Sequence, residues 1–242
     1  MKSTTTTSTR AALLAAAALT AGAAVAHADM ADMKFTGTGA GSNVRLTLDG
    51  ANMNVFAGQL KHTIQNITGP AALAGEKLTF CSDILQHVTS SFAAYDIYAL
   101  PTVPPLFPSA TDKVNALNGL FQNFGASALA VNANNDLAAA FQVAVWEIVS
   151  DYDGTAASLS LTGGHLLTAK TDGSPLGGAI LTNLNSMFAA ASASSSASGA
   201  ISVYAFVNGT AQDQLVAIVP APGTAALAGL GLLCMGRRRR VK

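Results

Sequence analysis

Hydrophobic periodicity changes character twice along this chain, and that limits its fold more than any other feature. From Met30 to about Ser90 the pattern is strand-like. In NVRLTLDG, Val44, Leu46 and Leu48 alternate with Arg45 and Thr47, and Asp49-Gly50 ends the run with a hairpin-turn pair. MNVFAGQLKHTI and KLTFCSDI read as further strands, and FAAYDIYAL, with Phe92, Tyr95 and Tyr98, as a strand or sheet edge. The glycine-rich TGTGAGS lacks the third glycine of a dinucleotide loop and opens no helix, so it reads as a turn. PTVPPLFP, residues 101–108, cannot occupy a central strand and marks a loop or subdomain boundary.

From about Asp112 the spacing becomes helical. Val114, Leu117, Leu120, Phe121 and Phe124 recur on one face until Gly125. NNDLAAAFQVAVWEIVSDYDG is the clearest helix: Asn134 or Asn135 caps it, Gly154 closes it, and Leu137, Phe141, Val145, Ile148 and Tyr152 form its inward stripe. GGAILTNLNSMFAAAS predicts a third helix, a Ser/Ala-rich stretch follows, and AISVYAFV returns as a strand. Strands, then helices, then a strand predict an α+β class. The expected architecture is a β-rich sandwich or barrel with an inserted helical subdomain, its helices at about 112–124, 135–152 and 177–191.

Both ends carry export signals. Lys2 and Arg10 precede an apolar run, and Ala26-His27-Ala28 forms a small-x-small cleavage site, so residues 1–28 read as a signal peptide removed by signal peptidase. At the other end, Pro220 and Pro222 precede a small apolar run from Gly223 to Gly236 and then Arg237, Arg238, Arg239 and Arg240. The run is shorter than the roughly 20 residues of a spanning helix. These three parts resemble the PEP-CTERM sorting signal recognised by an exosortase, with Val219-Pro220-Ala221-Pro222 in place of the commoner Pro-Glu-Pro motif. The resemblance implies an exported protein retained at the cell surface or in an extracellular matrix, with transient membrane contact through residues 220–242. Residues 29–219 then form the retained domain.

Removing the ends changes the charge. Seven of thirteen basic residues lie in them, leaving six against thirteen acidic residues and a formal net charge of −7. An acidic, lysine-poor domain offers no basic patch for phosphates, which excludes nucleic acid as a partner. HExxH, CxxC and GxSxG are all missing, and the three histidines outside the signal, His62, His87 and His165, are scattered. DYDG opens like a calcium loop, but its twelfth position is Thr162 rather than glutamate. No metal, cofactor or turnover chemistry is expected.

Cysteine is the informative residue. Cys234 falls in the apolar tail, so Cys81 stands alone in a compartment where disulfides are the norm. Three readings are open: a reactive group, a buried inert thiol in a structural matrix protein, or the disulfide of a dimer. Gln142 is the unusual residue of the best helix, an uncharged amide beside the apolar stripe with Trp146 one turn on.

Phe80-Cys81-Ser82-Asp83 and Gln142-Val143-Ala144-Val145-Trp146-Glu147-Ile148 together resemble the paired motifs of Cys–Gln thioester domains of bacterial surface proteins. Ser82 stands where such proteins often have an apolar residue, and Phe141 where some have threonine. The resemblance implies an internal thioester between Cys81 and Gln142, used once per molecule to capture an amine on a surface or matrix partner. Thiolate attack on the carboxamide expels ammonia, and glutamine is required because an ionised glutamate resists an anionic nucleophile. Asp83, His87, His62 and Glu147 are candidates for the proton transfers, while Trp146, Phe80 and Phe141 are suited to shield the bond from water.

Overall fold

The computed structural model describes residues 29–100, 110–195 and 199–220. The expected signal at 1–28, the expected loop at 101–108 and Pro222 and Arg237 to Arg240 of the expected sorting motif lie outside them; Pro220, exposed, is the last residue described. The chain is α+β, with a seven-stranded antiparallel sheet and three longer helices.

Strands β1 (Asp29–Leu48) and β2 (Ala51–Thr68) form a long hairpin. Its turn is Asp49-Gly50, with φ of 48° and 84°. Positive φ at both positions is the requirement of the two-residue turn that matches strand twist, which explains the Asp-Gly pair. Next come β3 (Gly75–Cys81), β4 (Ala93–Ala99), β5 (Leu166–Ala169), β6 (Ser202–Val207) and β7 (Gln214–Ile218). Pairing runs β1–β2–β3–β7–β6–β4 and returns to β1, so six strands close on themselves. Short β5 adds to the hairpin end of β1, from Arg45↔Ala169 to Leu48↔Leu166.

TGTGAGS is not a turn. Thr36–Ser42 lies inside β1, where the pairing with β2 shifts register between Phe35 and Gly37 and again between Thr38 and Gly41. A Cβ on Gly41 would meet Gly58 Cα of β2 at 2.8 Å. Glycine serves here to let two backbones approach at a bulge.

The helices fall between β4 and β6 in the chain. Helix α1 (Ala110–Leu120) continues through a π-turn, Phe121–Gly125, into a last turn at Ala126–Ala128. Helix α2 (Asn135–Ser150) is capped by the Asn134 side chain, which accepts from the backbone N–H groups of Asp136 (2.8 Å) and Leu137 (3.4 Å). At the other end Lys113 Nζ donates to the carbonyls of Val149 (2.7 Å) and Ser150 (3.3 Å), satisfying groups the helix leaves open. Helix α3 is Gly178–Ser192.

Every residue of α2 from Ala138 to Ile148 is buried, so the expected stripe is only part of its contact surface. It packs against β1, β2 and β3 on one side and α1 and α3 on the other. Phe141 bridges the layers, with its ring centroid 4.5 Å from Phe80 of β3 and 5.0 Å from Phe121. A second cluster, including Met33, Ile64, Tyr95, Ile97, Phe206 and Val216, joins five strands away from the helices. No helix among the described residues is long and apolar enough to cross a membrane.

Candidate functional site

Strand β3 loses its β2 partner before it ends. The β2–β3 register stops at Leu60↔Thr79, while β7 still pairs with β3 at Cys81↔Gln214. The side of Cys81 that faces away from β7 therefore carries a backbone N–H and C=O with no strand to meet them. Gln142, projecting from the middle of α2, fills that place. Its Oε1 accepts from Cys81 N at 2.9 Å, and its Nε2 donates to Cys81 O at 2.8 Å. Swapping the amide's oxygen and nitrogen would set donor against donor, so complementarity fixes its orientation. Cys81 is 2 % exposed and Gln142 1 %.

The carbonyl carbon of Gln142 is thus polarised by a backbone N–H, the arrangement that stabilises an oxyanion during acyl transfer. The Cys81 thiol donates to the carbonyl of Asp83 at 2.8 Å. Burial pushes that thiol up to about 12. The Trp146 indole N–H and the Asp83 hydrogen bond offset part of the rise, whereas the negative charges of Asp83 and Asp213 add to it. Trp146 Nε1 lies near enough to the sulfur to favour its thiolate but does not reach hydrogen-bond geometry, and it has no other partner. A thiol held protonated in this way would need a base to act as a nucleophile near neutral pH.

Asp83 Oδ1 is engaged by Leu85 N at 2.8 Å, so this residue contributes to the site through its carbonyl. His87 is exposed and lines a cavity beside Cys81. Glu147 faces β5: its Oε1 accepts from Thr168 Oγ1 at 3.3 Å, and burial pushes its carboxyl up to about 9. Asp213, which sequence reasoning passed over, does act on the Cys81 charge. Its carboxyl is pushed up to about 6, chiefly by burial, and its backbone oxygen accepts from Ser82 N at 3.0 Å. Its Oδ1 accepts from Asn208 N at 2.8 Å, as Asp83 Oδ1 does from Leu85 N.

The cavity has a volume of about 410 Å³ and is bounded by Phe35, Phe56, Ile84, Val88, Trp146 and Cys81. A chain of polar side chains supports it from the sheet. His62 Nδ1 contacts Thr79 Oγ1 at 3.0 Å, Thr79 donates to Gln214 Oε1 at 2.8 Å, and Gln214 Nε2 donates to Gln212 Oε1 at 3.1 Å. Gln212 Nε2 then donates to the carbonyl of Gln86 at 2.9 Å. His62 therefore belongs to this support, two residues of hydrogen bonding away from the cavity wall. The sequence signal for the rest was AQDQ, polar residues at the mouth of a strand.

No protein-family model, curated protein or solved structure matches this chain.

Proposed function

We propose that Cys81 and Gln142 join as an internal thioester and that the chain is an exported surface protein that uses this bond to capture an amine on a matrix or cell-surface partner. The observation that carries the reading is the double hydrogen bond between the Gln142 amide and the Cys81 backbone. It holds the electrophile against the residue that bears the nucleophile, and it directs a donor at the oxygen where negative charge develops. In bond formation the sulfur attacks the amide carbon, the thiol proton passes by way of a base to the departing nitrogen, and ammonia leaves. We assign that role to Asp213, whose carboxyl is raised to about 6 by burial. The closed ring of strands is read as a barrel, with the helical layer inserted to supply Gln142. Export through the N-terminal signal and retention by an exosortase at the Pro220–Arg240 segment complete the proposal.

The test is to incubate the exported protein with methylamine and map the product. Methylamine found as an amide on Gln142, with Cys81 released as a free thiol, supports the reading; an unmodified Gln142 peptide sinks it.

A second reading has its own observation. Both Gln142 contacts satisfy backbone groups of Cys81, so the pair can serve as a structural clasp without chemistry in a plain matrix protein. The same peptide map separates the two. An intermolecular disulfide requires the sulfur at the surface, and the burial of Cys81 disfavours it.

A further inference from the structure

Among the described residues, the buried side-chain polar atoms that lack a hydrogen-bond partner are Gln86 Oε1, Trp146 Nε1 and Glu147 Oε2. Two of them, one acceptor and one donor, belong to residues that line the cavity beside Cys81. Buried polar atoms are ordinarily paired, so the unpaired Gln86 Oε1 marks a place for a ligand donor, while the Trp146 N–H lies toward the Cys81 sulfur on the same cavity. The cavity carries no Asp, Glu, Lys or Arg in its lining, and its walls are mostly apolar. The segment bearing Gln86 is pinned by Gln212, whose Nε2 donates to Gln86 O (2.9 Å) and whose N donates to His87 O (3.0 Å). That leaves the Gln86 side chain as the uncommitted part of a fixed segment.

We propose that this cavity seats the incoming nucleophile, a primary amine on an apolar unbranched stem, with Gln86 Oε1 accepting from the attacking nitrogen and the Trp146 indole donating to the departing sulfur. This rests on the thioester reading. The amine lone pair attacks the acyl carbon of Gln142 and forms the C–N bond. The C–S bond breaks, its electron pair goes to the Cys81 sulfur, and the proton lost by nitrogen ends on that sulfur. The products are an N-substituted Gln142 amide and a Cys81 thiol. Gln86 determines specificity because it reads the N–H of the nucleophile. A carboxylate on the stem finds no lysine or arginine in the lining, where His87 is the titratable side chain besides Cys81, and its desolvation is costly.

The experiment follows the intact mass of the full exported protein against time with butylamine and with β-alanine, at equal concentrations of free amine. The same time course is run on Gln86→Leu. The parent should react with butylamine at least about tenfold faster than with β-alanine. Gln86→Leu should retain the mass deficit of one ammonia, which also reports its folding, and lose about tenfold in the butylamine rate. Equal rates for the two amines in the parent overturn the proposal without recourse to any variant. An unchanged rate in Gln86→Leu overturns the role of Gln86. A parent with its full calculated mass is a different failure, that of the thioester itself.

Discussion

The side chain of Gln142 pairs with the backbone of Cys81 as a neighbouring strand would, through hydrogen bonds of 2.9 and 2.8 Å across 61 residues of sequence. The same pairing that satisfies β3 beyond its β2 partner holds a carboxamide against the cysteine. Structure and chemistry can be separated in a Cys81→Ala background, where no bond can form. There, Gln142→Ala strands a buried N–H and C=O and should destabilise by roughly 2–4 kcal/mol. Gln142→Glu should be worse at neutral than at acidic pH, because only a protonated carboxyl can still donate to the Cys81 carbonyl. Urea unfolding at pH 5 and pH 8 checks both.

His62 supports the site as a neutral ring, and burial depresses it from 6.5 to about 4. The unfolded chain therefore takes up the proton first. Stability should hold above pH 6.5, fall as pH drops toward 4, and level off below that, with a total of the order of 3 kcal/mol. The comparison is between the parent and His62→Gln, whose stability should lack this part of the slope. Identical pH profiles would show that His62 is not buried neutral.

Glu147 has the opposite sign. Its carboxyl is raised from 4.5 to about 9, so its contribution is intact below pH 4.5 and is lost progressively as pH climbs toward 9. Glu147→Gln should be near neutral in effect at pH 4 and stabilising by roughly 4–5 kcal/mol at pH 8. Thermal unfolding at the two pH values measures the difference. A Glu147→Gln variant that is destabilised equally at both would mean the carboxylate has a partner that its surroundings do not reveal.

Two glycines of the long hairpin should respond differently to alanine. Gly50 has open space around its Cβ position but φ of 84°, so Gly50→Ala should cost about 1 kcal/mol. A Cβ on Gly41 would meet Gly58 Cα at 2.8 Å, so Gly41→Ala must separate two paired strands and should cost roughly 2–3 kcal/mol. Denaturant midpoints of the two variants decide the order.

Some of this was legible in the sequence for physical reasons. Asp49-Gly50 announced its turn because only that dihedral chemistry fits the position, and Asn134 announced a helix start because few side chains can cap one. The full burial of α2 was less visible: Ala138, Ala139, Ala140 and Ala144 carry little hydrophobic signal, yet their small size is what lets a helix be packed on both sides. The glycines at 37, 39 and 41 look like a turn in isolation, and only their pairing with Gly58 and its neighbours makes them a bulge. Strands β5 and β7, of four and five residues, are too short to carry a period of their own. Within the site, Cys81, Gln142 and Trp146 stood out by residue type. Asp213 and Gln86 did not, since what distinguishes them is a half-buried carboxyl and an unpaired oxygen, and both depend on what the fold brings near.

The most direct measurement is the intact mass of the purified protein under denaturing conditions, beside Cys81→Ala and Gln142→Ala. A parent lighter than its sequence by one ammonia, with both variants at full calculated mass, is the expected result. A parent at full mass whose Cys81 alkylates as soon as the chain is unfolded would contradict the thioester and leave the Gln142–Cys81 pair a purely structural clasp.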